Sequence, residues 1–285
     1  MHEGLGKGKS LVSRMKILVA GDAMADVYWS GTVSRISPEA PVPLITIKDV
    51  ETRQGAAANV ANNVEAMGIP CERFFGSGKR IEKIRLLSTQ HIARIDFDYP
   101  QEPIEPDATF EDALRRCEIV ILVDYAHGAL EKVAALIQLA RTYSRTILVD
   151  PKGVDYNRYR GATLIKPNKY EFKELVGGWR NQDELDFKAR QFLLSSDIES
   201  ILLTQSEDGA TLYTRTTTTH FPAEAQKVVD LCGAGEAVLA AYAVALAKGY
   251  KPEEAVRYAN KAGGIKVGYF GTTVLEEKDV FGERR

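Results

Sequence analysis

Between residues 118 and 204 short apolar runs alternate with helical patterns, and this alternation restricts the fold more than any other feature of the chain. Strands are expected over residues 118–123, 146–149, 162–166 and 200–204, with helices over 130–143, 169–176 and 183–196. The runs are apolar throughout rather than at every second residue, as in strands buried on both faces. Strands alternating with helices predict a mostly parallel sheet with helices on both sides, and functional residues at the strands' carboxyl ends. Residues 16–20 (KILVA) read as a further buried strand, ending at Gly21-Asp22. A hairpin over 210–214 and 217–221 and two apolar helices over 233–248 and 252–268 complete this part.

The front of the chain has a different period. Residues 26–36 and 42–50 alternate apolar and polar side chains around a Ser37-Pro38-Glu39-Ala40-Pro41 turn, and residues 82–87 and 93–98 form a similar pair. Alternation gives a strand one wet face, so these ribbons predict a small β lid, from about 26–50 and 80–98, over one edge of the sheet. Between them lie a small-residue helix over 55–67, stopped by Gly68 and Pro70, and a strand over 71–76. The Gly76–Arg80 segment is expected to be basic and flexible, residues 100–106 a linker, and residues 1–14 a disordered extension.

A net charge of −2 gives no reason to expect nucleic acid or a membrane surface as partner. No apolar run reaches the length of a membrane span, and residues 1–14 lack the apolar centre of a signal peptide. Three widely spaced cysteines without a CxxC pair argue against a disulfide framework or a zinc site and for a reducing cytoplasm.

The segment Asp230-Leu231-Cys232-Gly233-Ala234-Gly235-Glu236 opens the first of the two apolar helices. Glycine lets backbone N–H groups approach an anion, and the helix dipole adds partial positive charge. A carboxylate just inside such a hole can accept a proton while the hole holds a phosphoryl group, which reads as phosphotransferase chemistry. The plainer alternative is a tight loop with an N-terminal acid on the dipole. Asn168 and Glu171, three residues apart, share one helix face just past a strand; they suit Mg2+ held through water, or equally a capping box. Asp150-Pro151-Lys152-Gly153 also follows a strand, either facing nucleotide phosphate or forming an ordinary turn. Asp22 and Asp26 beside Gly55 and Asn59 suit sugar hydroxyls. Lys83 and Arg85 share a strand face and suit a substrate phosphate, or simply decorate an edge strand. Gly76-Ser77-Gly78-Lys79-Arg80 is not a P-loop, because Arg73 and Arg80 stand where glycine and a hydroxyl residue are required.

Together these residues resemble the ribokinase-like (PfkB) sugar kinases, and within them the bacterial heptose 7-phosphate kinases. The likeness is carried by residues 21–29 and 34–43 (GDAMADVYW, SRISPEAPVP), 55–61 (GAAANVA), 124–128 (DYAHG), 150–153 (DPKG) and 158–163 (RYRGAT). It implies a ribokinase-like three-layer α/β/α sandwich over residues 15–285, a mostly parallel central sheet, and ATP-dependent phosphorylation of a sugar phosphate. By motif position Asp22, Asp26, Gly55 and Asn59 would hold the sugar, with Lys83 and Arg85 near its phosphate. Lys152, Asn168, Glu171, Thr204, Gly209, Asn260 and Gly263 would serve ATP and Mg2+, with Asn168 and Glu171 reaching the metal through water. Gly233, Ala234 and Gly235 would form the anion hole and Glu236 the catalytic base. A homodimer through the lid is implied as well. The chain departs from the family pattern at Glu236, where the family has Asp, at Ala56 (Gly) and at His127 (Lys). It also lacks a helix and strand after Phe75. A sugar- or nucleotide-binding relative with impaired turnover, or a kinase for another sugar, therefore stands beside the first reading.

Overall fold

The computed structural model describes residues 15–224 and 227–282, so the extension expected over 1–14 lies outside the described residues. An eight-stranded sheet runs in the order β12-β11-β10-β9-β8-β7-β1-β4. Its members are β1 (Ile17–Gly21), β4 (Cys71–Phe75), β7 (Ile119–Val123), β8 (Thr146–Asp150), β9 (Leu164–Ile165), β10 (Ser200–Thr204), β11 (Ala210–Thr214) and β12 (Thr218–Phe221). Pairings are parallel from β4 through β10, and β11 and β12 add an antiparallel edge.

Alternate residues of each buried strand feed two separate cores. Ile17, Val19, Ile121, Leu148, Leu164 and Leu202 meet α1 (Ala57–Ala66), α6 (Ala234–Ala247) and α7 (Pro252–Lys266) on one face. Leu18, Ala20, Leu122, Val149, Ile165 and Leu203 meet α2 (Ala108–Arg116), α3 (Val133–Thr142), α4 (Lys169–Val176) and α5 (Gln182–Ser195) on the other. These are the three layers expected from the alternation. Sequence reading passed over α2, although Asp107 caps it by accepting from Thr109 and Phe110 N–H and Phe110, Ala113 and Leu114 line one face. It also passed over the short C-terminal α8 (Glu277–Phe281).

The lid is a single sheet rather than two ribbons. β2 (Ala23–Ile36) and β3 (Pro43–Ala56) pair antiparallel, as do β5 (Ile81–Leu87) and β6 (His91–Phe97), while β2 and β5 run parallel side by side. In that register Asp26 stands opposite Lys83 and Tyr28 opposite Arg85, so all four side chains share a face.

Two expectations need correction at the substrate edge. The connector at 76–80 is not loose: Gly76 N–H donates to Gly21 O (3.2 Å), Glu102 N–H to Ser77 O (2.8 Å) and Gln101 Nε2 to Lys79 O (2.8 Å). Nor is 100–106 a free linker, since Gln101 and Ile104 donate to His127 O and Ala129 O at 2.7 and 2.9 Å. This strap closes the edge beyond β4, which here leads straight into the lid.

Candidate active site

A cavity of about 810 Å³ opens between the lid, the carboxyl ends of the strands and the N-terminal end of α6. Gly233 precedes α6 with φ 79°, a left-handed conformation that glycine adopts without strain, and the turn presents Gly233, Ala234 and Gly235 to the cavity. Glu236 follows in the first helical turn, nearly buried yet lining the cavity. Tyr125, from the loop after β7, donates its hydroxyl to Glu236 Oε1 at 2.8 Å. Burial, and then the neighbouring Glu236 carboxylate, raises the Tyr125 pKa well above its usual value, which keeps it a donor.

Tyr125 and Lys166 are among the cavity residues that went unrecognised in the sequence; Lys166 is buried, its Nζ 3.0 Å from Asp150 Oδ1. A Cβ placed on Gly235 would lie 3.1 Å from that Nζ, so the ammonium sits directly against the turn over 233–235. Burial works against the charge of Lys166, but the Asp150 carboxylate outweighs it and holds its pKa above the usual range. Burial pushes the Asp150 carboxyl up to about 6 against the pull of Lys166. A lysine immediately before Pro167-Asn168, at a strand's carboxyl end, is the signal that would have found it.

On the lid side Asp26, Lys83 and Arg85 line the cavity, joined by Arg94 from β6. Arg85 forms an ion pair with Asp26 through Nη1 and donates from Nη2 to Cys232 Sγ at 3.3 Å. Burial raises the Cys232 thiol to about 11. The Lys83 Nζ lies 5.7 Å from the centre of the Tyr125 ring. Gly55 acts through Asp26: a Cβ there would meet Asp26 Oδ2 at 2.4 Å.

Asp22 departs from the sugar-binding expectation. It is fully buried, and its carboxylate accepts backbone N–H from Tyr125 (2.8 Å), Ala129 (3.1 Å) and His127 (3.3 Å). Its oxygens are thus engaged in holding the 124–129 loop, away from the cavity lining. Asn59 also lies behind the lining, but among the described residues its Nδ2 has no hydrogen-bond partner, and it sits 3.1 Å from where a Cβ on Gly233 would be. That buried donor lies beside the turn over 233–235.

On the opposite wall Asn168 and Glu171 line the cavity while completing a capping box on α4, with bonds of 2.9 and 3.0 Å. Lys152 does not line it, and instead reaches Glu171 at 3.3 Å. Thr204, Gly209, Asn260 and Gly263 do line it. Asn260 Nδ2 donates to Pro222 O at 2.7 Å, and Gly263 admits Val238, whose Cγ2 would lie 2.8 Å from a Cβ. Among the described residues no group of three or more His, Cys, Asp or Glu side chains forms a metal cluster, and no helix is long and apolar enough to cross a membrane.

Residues 105–279 match the pfkB family carbohydrate kinase profile. The chain is 42% identical over 303 residues to a D-beta-D-heptose 7-phosphate kinase of Bordetella bronchiseptica, covering 95% of this chain and 97% of that one. That aligned stretch is longer than the 285 residues present here, so the relative has residues that this chain lacks. It is 38% identical to the Bifunctional protein HldE of Yersinia enterocolitica, spanning 62% of that protein's length. Among solved structures, an Arabidopsis thaliana ribokinase complexed with ribose and ATP superposes with a TM-score of 0.76 at 18% identity, covering 94% of this chain and 97% of that one. With the fold and these relatives in agreement, the chain belongs to the pfkB family of carbohydrate kinases, phosphotransferases whose acceptor is a hydroxyl group.

Proposed function

We propose that this chain uses ATP to phosphorylate the anomeric hydroxyl of D-glycero-D-manno-heptose 7-phosphate. The product would be the 1,7-bisphosphate, on the cytoplasmic route to ADP-heptose and lipopolysaccharide core. The observation that carries the reading is a cavity with an acid at an anion-binding turn and a lid face bearing Lys83, Arg85 and Arg94. Such cations suit an acceptor that already has a phosphate, and the Bordetella bronchiseptica relative, named for heptose 7-phosphate, supports it. A homodimer through the lid belongs to the same reading, supported by exposed Val33, Ile36, Val50, Ile95 and Phe97 on the lid strands.

In the step, the sugar hydroxyl oxygen bonds to the γ-phosphorus of ATP as the bond from that phosphorus to the ADP oxygen breaks. The hydroxyl proton passes to the Glu236 carboxylate. Backbone N–H groups at 233–235, the α6 dipole and Lys166 offset the charge of the phosphoryl group in flight. Asp26 and Arg85 orient the acceptor, and the Asn168, Thr204 and Asn260 wall holds the nucleotide. Glu171 and Asp150 both line the cavity. One or two carboxylates with water and phosphate oxygens are what Mg2+ prefers, so these residues fit an ion that arrives with ATP and meets Asn168 and Glu171 through water. Bound there, Mg2+ would neutralise phosphate charge.

The test is ADP release by purified protein with ATP, Mg2+ and heptose 7-phosphate, against blanks with no sugar and with heptose lacking its phosphate. Release that requires the phosphorylated sugar supports the proposal. Release only with a different sugar phosphate reassigns the substrate. No release, with calorimetric binding of nucleotide or sugar retained, supports an impaired binding relative, the reading favoured by Glu236 and the short connector at 76–80.

A further inference from the structure

We infer that Tyr125 is the positioning residue for the Glu236 carboxylate, and that this contact lets a glutamate serve at the head of α6. The inference rests on the reading of Glu236 as the base. A glutamate has one more rotatable bond than an aspartate, so its carboxylate must be fixed from outside the helix if it is to meet an acceptor hydroxyl in one geometry.

Tyr125 supplies that fixing point. Its hydroxyl donates to Glu236 Oε1 at 2.8 Å, while Oε2 carries no hydrogen bond among the described residues and is left for the acceptor. The phenol itself stands on a restrained backbone. Tyr125 N–H donates to the fully buried Asp22 at 2.8 Å, and Ala126, with φ 60°, donates to Asp124 Oδ1 at 2.8 Å. In place of the expected contact with the sugar, Asp22 locks the loop that aims Tyr125 at the base. Lys83 approaches the same ring from the lid, so the lid cation and the base touch one side chain. Asp150, Lys166, Cys232 and Lys266 also feel the Glu236 charge, and among the described residues none of them hydrogen-bonds it.

The experiment compares wild type, Tyr125→Phe, Glu236→Asp and the double variant, with Glu236→Gln as a control on the base. Removing the phenol oxygen is expected to lower kcat by about 10- to 100-fold, the effect of a misplacement near 1 Å, with KM for both substrates unchanged. Shortening residue 236 withdraws the carboxylate by about 1.5 Å, out of reach of the hydroxyl, so Tyr125→Phe has no further effect in the Glu236→Asp background. Equal losses in both backgrounds, or a KM change with kcat intact, would overturn the inference. The contact is also read without turnover: unfolding equilibria of the same four proteins should be non-additive by at least about twofold, and additivity counts against it. If Glu236→Gln keeps full kcat the base reading itself fails; if Gln abolishes turnover while Tyr125→Phe changes nothing, only the role of Tyr125 does.

Discussion

Replacing Gly55 by alanine tests how the acceptor end of the cavity is built. An added Cβ would lie 2.4 Å from Asp26 Oδ2, 3.1 Å from Met24 Cγ and 3.3 Å from Asp26 Cγ. Ordinary contact begins near 3.4 Å, so the carboxylate must move by about 1 Å. It has little room to do so: Asp26 is buried, bonded to Arg85, and fixed on β2 by pairing with both β3 and β5. Overpacking of this kind costs about 1–3 kcal/mol, which lowers the melting temperature by several degrees at about 2–4 °C per kcal/mol. A shift near 1 Å in a substrate-orienting pair is expected to raise KM for the sugar phosphate, or lower kcat/KM, by about 10- to 100-fold. KM for ATP should hold, because Asn168, Thr204 and Asn260 belong to other elements. The assay is steady-state ADP release with each substrate varied in turn, beside a thermal melt. A lowered melting temperature with both the sugar KM and kcat/KM unchanged would show that Asp26 does not orient the acceptor. If neither moves, the collision is relieved without displacing Asp26, and the argument from its confinement is wrong.

Other consequences can be measured separately. Glu236→Gln keeps an acceptor oxygen for Tyr125 but removes the base, and kcat should fall by about 10²–10⁴-fold with calorimetric nucleotide affinity retained; a loss below tenfold argues against a proton role. Asp150 binds its proton more tightly in the fold, since burial lifts it to about 6 while an unfolded carboxyl sits near about 4. Its contribution to stability is therefore full below the unfolded value and lost as pH rises through about 6. Protonation also removes negative charge beside Lys166, so inorganic sulfate should bind more tightly as pH falls through that range, and Asp150→Asn should flatten the dependence; a flat wild-type titration contradicts this. Ala56→Gly relieves a backbone at φ 51°, ψ −131°. Strain relief of about 1–3 kcal/mol, less about 0.8 for a buried methyl and about 0.4–1 for unfolded-chain entropy, leaves a gain of about 0.5 kcal/mol at mid-range and up to about 2 kcal/mol, read as a higher urea midpoint.

What the sequence revealed follows from the range of the forces involved. Strands such as Ile17–Gly21 and Ile119–Val123 are apolar at every position because both faces are covered, and that pattern is local, so the layered sheet could be read directly. The lid strands alternate, and they too could be read, but the parallel pairing of β2 with β5 joins segments more than fifty residues apart and leaves no periodic mark. The helix Ala108–Arg116 was missed although its cap and apolar spacing are both local, a fault of weighting rather than of information. Site residues divide along the same line. Glu236 and the glycines before it announce themselves because a turn and a helix start are contiguous. Lys166 and Tyr125 do not, because each matters through a group brought to it by the order of strands: Asp150 on the neighbouring strand, Glu236 on a distant helix. Asp22 shows the converse error. A carboxylate at a strand end has the same sequence signature whether it faces a ligand or gathers the N–H groups of the next loop, and only the loop's return path decides. Here it decides for the loop, and the chemistry that Asp22 supports is delivered one step away, through the phenol it holds in place.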